Sequence, residues 1–198
     1  MDISQLALAL GSSLAAGLNL YITILVLGLA QRFAILDLPT EMHILANPWV
    51  LGTAGILLVV EFIADKIPYV DNTWDAVHTF IRVPAGALLA AGAFSTLPQH
   101  WIWVAALLGG FVSFSSHGAK ASTRLAVNAS PEPISNWILS FAEDAVSLTV
   151  LWLMASHPYL AVGAVVLLVA LFVALLFIFY RFLRMLFRRR RPAAPAAG

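Results

Sequence analysis

Carboxylates and cations set inside apolar sequence are the chemically capable residues of this chain. Glu61 and Asp65 stand four apart in VVEFIADK, Lys120 and Arg124 four apart in HGAKASTR, and Glu143 and Asp144 adjoin in SFAEDAV. Residues four apart share one face of a helix. Two acidic segments and one basic segment could therefore gather into a single ionic cluster. His117 extends the basic stripe; Asn136, Ser140 and Ser147 accompany Glu143 and Asp144; Ser12, Asn19 and Thr23 give an earlier segment a polar face. Such a cluster could bind an ion, a proton or a small polar solute, with Asn19, Glu61, Asp65, Lys120, Arg124, Glu143 and Asp144 as the binding residues. The same groups could also serve only as structural salt bridges between short helices.

A second group, Asp71, Asp75 and His78 with Arg82, offers oxygens and an imidazole that a divalent metal could use. Its plainer reading is a solvated loop with a helix cap. The chain has no cysteine, which excludes disulfides, zinc–thiolate sites and iron–sulfur clusters. Neither HExxH nor GxSxG in a plausible turn occurs. The sequence thus predicts no enzyme and calls for no cofactor.

What holds these groups must be a membrane fold. Of 198 residues, 61% are hydrophobic and only 11% charged, and the mean hydropathy is +0.91. Soluble domains carry about a quarter charged residues. An ionised side chain at the bilayer centre costs about 2.5–3.5 kcal/mol on insertion scales, so six unpaired ones would cost roughly 15–20 kcal/mol. The charges must pair, face water, or be neutral.

A bilayer core needs about 20 mostly apolar residues per helix. On that measure the sequence predicts an all-α membrane protein with six transmembrane helices, at residues 6–29, 48–66, 74–97, 101–125, 134–156 and 159–182. Asn47-Pro48 starts the second, Asn72 or Thr73 caps the third, and Pro84 kinks it. Weak internal likeness relates the halves: GLNLYIT to GAKASTR, EFIADK to SFAEDA, which sets Phe62 over Phe141, Asp65 over Asp144 and Asn19 over Lys120. Two inverted-topology three-helix repeats follow, about 1–97 and 101–187, forming one transmembrane domain of 1–187. Residues 188–198 are basic and then Pro/Ala-rich, and read as a disordered cytoplasmic tail. Six of the eleven basic residues lie between Arg181 and Arg191. With six spans both termini share the basic side, which the positive-inside rule makes cytoplasmic.

The start, MDISQ, lacks the basic region of a secretory signal peptide. Gly52/Gly55, Gly86/Gly92 and Gly109/Gly110 would allow close helix approach. Trp49, Trp101 and Trp103 suit the outer interface. Arg188–Arg191 would meet anionic lipid and fix topology, and no nucleic acid is expected as a partner.

The stretches SSLAAGLNLYITILVLGL, EFIADKIPYVDNTWDAVHTFIRVPAGALL and SSHGAKASTRLAVNASPEPISNWILSFAEDAVSL resemble the bacterial family known as domain of unknown function (DUF) 4126, over nearly the whole chain apart from the arginine-rich tail. The resemblance implies a small, multi-pass protein of the bacterial inner membrane and brings no activity with it. Its motif residues Gly17, Asn19, Glu61, Asp65, Asp75, Lys120, Arg124, Glu143 and Asp144 are all present. The residues themselves predict a carrier or permease for an ion or small polar solute in the lipid bilayer. The alternative is a non-transporting scaffold or lipid-handling protein; a homodimer is compatible with either.

Overall fold

The computed structural model describes residues 2–67, 69–128 and 133–189. Among the described residues there are seven α-helices and one 3-10 helix: α1 (Ile3–Leu18), α2 (Leu20–Arg32), the 3-10 helix (Thr40–Ala46), α3 (Pro48–Ala64), α4 (Val70–Ala93), α5 (Gln99–Asn128), α6 (Pro133–Ser156) and α7 (Pro158–Arg189). Among the described residues, α4, α5, α6 and α7 are each long and apolar enough to cross a membrane. A fifth candidate appears if the 3-10 helix and α3, bent by 60°, count as one. The exterior is lined with large apolar side chains such as Ile56, Leu88, Leu107 and Leu167, as lipid contact requires.

Local chemistry sets most of the boundaries. Asp2 and Gln5 form a reciprocal capping box at the start of α1. Asn47 caps α3 by accepting from the Trp49 amide at 2.9 Å, with Pro48 in the first turn as the sequence predicts. The start of α4 departs from expectation. Neither Asn72 nor Thr73 is the cap; the helix begins at Val70 after Tyr69, whose φ of 70° turns the chain sharply out of α3. The helix then runs unbroken through Pro84. The SPEP turn up to Glu132 and nearly all of the 188–198 tail fall outside the described residues.

The larger departure is at the first expected span. Residues 6–29 do not form one helix: α1 ends and α2 begins at Asn19, whose extended backbone (φ −144°, ψ 100°) interrupts the apolar run. Its side-chain oxygen caps α2 through the Ile22 amide at 3.0 Å. The contacts show that the chain reverses there. Near the start of α1, the Gln5 amide reaches Thr96, just past the end of α4, at 3.5 Å, and Gly11 meets Met154 near the end of α6. Deeper along α1, Ser13 bonds Gly86 O and Ser116 bonds Leu14 O. Along α2, Tyr21 bonds His78, whereas Gly28 lies on Leu45 and Leu51. The 3-10 helix bearing Leu45 meets Gly92 through Met42. Thus α1 descends beside α5 and parallel to it, and α2 climbs back to the end from which α1 set out.

Close approach at the α1–α4–α5 crossing depends on small residues. A Cβ at Gly109 would come within 2.8 Å of Ser13 Oγ, and one at Gly17 or Gly86 would strike Ser113 or Ser116. Gly92 seats Met42, but Gly52 and Gly55 face open space and Gly110 makes only ordinary contact. Trp49, Trp101 and Trp103 are exposed at the end where α3 and α5 begin.

Candidate functional site

The reversal at Asn19 ends α1 in mid-bundle, and a helix end inside a bilayer needs partners for its last carbonyls. Cations supply them. Arg82 Nη1 donates to Gly17 O at 3.3 Å, and Lys120 Nζ to Leu18 O at 3.4 Å. Positive charge at a helix C-terminus also matches the helix dipole.

From these cations the ionic network spreads across four more elements. Lys120 Nζ lies 3.1 Å from Asp65 Oδ2, 3.3 Å from Glu61 Oε1, 3.5 Å from Glu143 Oε2 and 3.9 Å from Asp75 Oδ1. Arg124 grips Glu143 with two nitrogens, Nη2–Oε2 at 2.6 Å and Nε–Oε1 at 3.2 Å. It also donates to Asp65 O at 2.7 Å and reaches Asp65 Oδ2 at 3.3 Å and Asp71 Oδ2 at 3.5 Å. Arg82 pairs with Glu61 and, at 3.5 Å, with Asp75. The side chains of Glu61, Asp65, Asp75, Lys120, Arg82 and Arg124 are each at most 3% exposed. Glu143 and Asp144 are half-buried.

All seven predicted binding residues therefore meet. Five of them, Glu61, Asp65, Lys120, Arg124 and Glu143, join by ion pairing, and Asn19 holds Asp144 beside Glu143 by donating from Nδ2 to Asp144 Oδ1 at 2.9 Å. The segment holding Asp71, Asp75, His78 and Arg82 is not a solvated loop. All four are buried on one face of α4 and belong to the same site. Nor do Asp71, Asp75 and His78 form a metal centre, for no group of three or more His, Asp or Glu among the described residues could hold a metal ion. His78 is fully engaged: Nδ1 donates to Trp74 O and Nε2 bonds the Tyr21 hydroxyl, both at 2.8 Å. His117 accepts from Arg82 through Nδ1 at 3.2 Å and turns Nε2 to Asp75 O and Thr79. Because Arg82 can only donate, His117 bonds as the neutral imidazole.

Reading the sequence undervalued Arg82, which sits at the centre, and missed the amide relay of Asn136 to Asn128 to Asp71, both steps at 2.8 Å. The signal for Arg82 was its helical register with Asp75 and His78, read there as a loop feature. At the edge of the site Lys66 lies 3.0 Å above the Phe62 ring and 5.1 Å from that of Phe141.

Charge is unbalanced. Arg82, Lys120 and Arg124, with Lys66 at the edge, face Glu61, Asp65, Asp71, Asp75, Glu143 and Asp144, so six carboxylates meet four cations. Glu61 Oε2, Asp65 Oδ1, Asp71 Oδ2 and Asp75 Oδ2 are buried without a hydrogen-bond partner, although Asp71 Oδ2 keeps its longer ion pair to Arg124. An unpartnered buried polar atom is expensive, so a further hydrogen-bond partner at these four oxygens would be stabilising.

These features define a multi-pass helical membrane protein built around a buried ionic site. The chain belongs to the family described as "Domain of unknown function (DUF4126)", which matches residues 6–177. Neither the curated proteins nor the solved structures compared with it include a match.

Proposed function

We propose that this protein is a carrier or channel-like permease for protons or a small cation, working through the buried carboxylate cluster. The surplus of carboxylates over fixed cations carries this reading. Uncompensated charge in a water-poor interior is tolerable only when protons or a cation share the site. Asp144 is the group best suited to exchange, since its bonded partner is the neutral Asn19 amide.

In this reading α3 to α7 cross the bilayer and α1–α2 is a re-entrant hairpin, an arrangement in which irregular backbone lies at a protein-lined site. The end carrying Lys66, Arg181 and Arg184 faces the cytoplasm by the positive-inside rule, and Asp2 lies toward the opposite face. Both termini on one side, as six spans would require, does not fit a first segment that turns back. An inverted relation between α3–α4 and α6–α7 draws support from the contact of Phe62 with Phe141, at 5.9 Å between ring centroids. These are aligned residues, as expected beside a two-fold axis.

Purified protein in liposomes, under a pH gradient or a gradient of Na+ or K+, tests the reading with an internal pH dye and cation efflux. The wild type should conduct one of these ions, and Glu143→Gln/Asp144→Asn should lose at least most of that flux while remaining folded. Equal flux in the two proteins would end the proposal. It would favour the second reading, a non-transporting lipid-handling protein, which draws on an apolar groove of about 250 Å³ between α1, α5, α6 and α7, with Glu143 in its wall.

A further inference from the structure

Lys120 does more than neutralise a neighbour. Its ammonium is surrounded by five oxygens from four parts of the chain: Asp65 Oδ2, Glu61 Oε1, Leu18 O, Glu143 Oε2 and Asp75 Oδ1, at 3.1–3.9 Å. One of these is a main-chain carbonyl made available by the break at Asn19. Within an unbroken helix Leu18 O would accept from the Ile22 amide, but Asn19 Oδ1 takes that amide instead. Three of the four carboxylates, those of Glu61, Asp65 and Asp75, keep a second buried oxygen without a partner, and these residues are at most 2% exposed.

The three cations are not held alike. Arg82 and Arg124 are planar forks, each fixed by several directed bonds: Arg82 by Gly17 O, Glu61 and His117, Arg124 by Asp65 O and both oxygens of Glu143. Lys120 presents a compact point charge on a flexible four-carbon stem, and its contacts are mostly longer than a good charge-assisted hydrogen bond of about 2.7–2.9 Å. Of the three, it is the one that can leave without dismantling the bonds of its neighbours. The oxygen spacing is that of an ammonium ion. It is too wide for Mg2+ or Ca2+, which bind oxygen at about 2.0–2.6 Å, in keeping with the lack of a preformed metal group among the described residues.

We infer that this cage is a binding site for an ammonium-sized monovalent cation, NH4+, K+ or Rb+, with the Lys120 side chain as its built-in competitor. The inference rests on the proposed function and names the ion class and its seat. Entry of a cation displaces the lysine, and return of the lysine expels the cation, so one site alternates between two occupants of like charge.

The test is the thermal unfolding of the full-length protein in detergent, in chlorides of ammonium, potassium, rubidium, magnesium and choline at matched ionic strength. Lys120→Ala should unfold several degrees below the wild type in choline chloride. Ammonium, potassium and rubidium should restore most of the loss in a saturable manner, magnesium and choline should not, and the wild type should respond little. Lys120→Met fills the cage with an uncharged stem and should respond to no salt. A folded Lys120→Ala with the same unfolding temperature in every salt overturns the inference. If that variant does not fold in choline chloride, extraction in ammonium or potassium chloride should recover it, and failure there also overturns the inference. Glu61→Gln/Lys120→Ala, which loses one charge of each sign, is held to the same criterion. Rescue in a protein that conducts nothing would keep the cation site and sink the carrier; flux without rescue would keep the carrier and sink this seat.

Discussion

Asp65 and Asp144 occupy matching positions in the two halves of the sequence, yet their surroundings differ. Asp65 closes the end of α3, is 2% exposed, and lies between Lys120 at 3.1 Å and Arg124 at 3.3 Å. Asp144 lies in the middle of α6, is half-buried, and has a neutral amide for its bonded partner. One carboxylate is fixed by two cations that other acids also share; the other is held by a single hydrogen bond to the residue at which the chain reverses. The same residue type is thus held once by two buried cations and once by a single neutral amide. The difference comes from what the opposing helix offers. The stretch after Gly118 carries two cations, and the matching stretch after Gly17 carries an amide and apolar residues.

That contrast can be broken experimentally, most severely at the cation. Arg124→Gln should cost about 3–5 kcal/mol of stability, the range for removing one partner from a buried ion pair, because Asp65, Asp71 and Glu143 all lose it; denaturant or heat unfolding in micelles measures this. Asp65→Asn should cost less, about 2–3 kcal/mol, since it leaves two cations under-compensated but also relieves part of the carboxylate surplus. Asn19→Ala removes the cap of α2 and the partner of Asp144, and should cost about 1–2 kcal/mol. It should also raise protease susceptibility or hydrogen exchange around residues 18–23 more than in α5. Asp144→Asn should have the smallest effect on unfolding, about 0.5–1.5 kcal/mol, the net worth of one hydrogen bond, while having the largest effect of the four on ion flux per unit of stability lost. A large loss of stability from Asp144→Asn, comparable with that from Asp65→Asn, would erase the distinction.

Much of this was legible in the residues. Asn47-Pro48, the Leu97–Gln99 and Ser156–Pro158 breaks, and the long apolar runs place α3, α5, α6 and the start of α7 within a few residues, whereas α7 runs on past the expected end at 182 to Arg189. Spacing of four along VVEFIADK and HGAKASTR identifies the partners on α3 and α5, since helical register is a local property. Two things were hidden. The run from Leu6 to Leu29 is apolar on both sides of Asn19 and contains no proline, so hydropathy reads it as one span; the reversal is set by contacts of α1 with α5, about a hundred residues away. The segment from Asp71 to Arg82 is polar enough to pass for a solvated loop, because the cations and amides that bury it, Lys120, Arg124 and Asn128, come from α5.

The fold-back at Asn19 also governs the order in which the molecule can be built. α1 is made before the helices that wall it, α4, α5, α6 and α7, and Gly17 docks on Ser113 and Ser116. The α1–α2 fold-back cannot settle among those later helices until they exist, and contacts spanning so much chain close slowly. Synthesis halted before α5 is complete should leave residues 3–32 open to proteolysis, and their protection should then arise in one late step as the chain is finished.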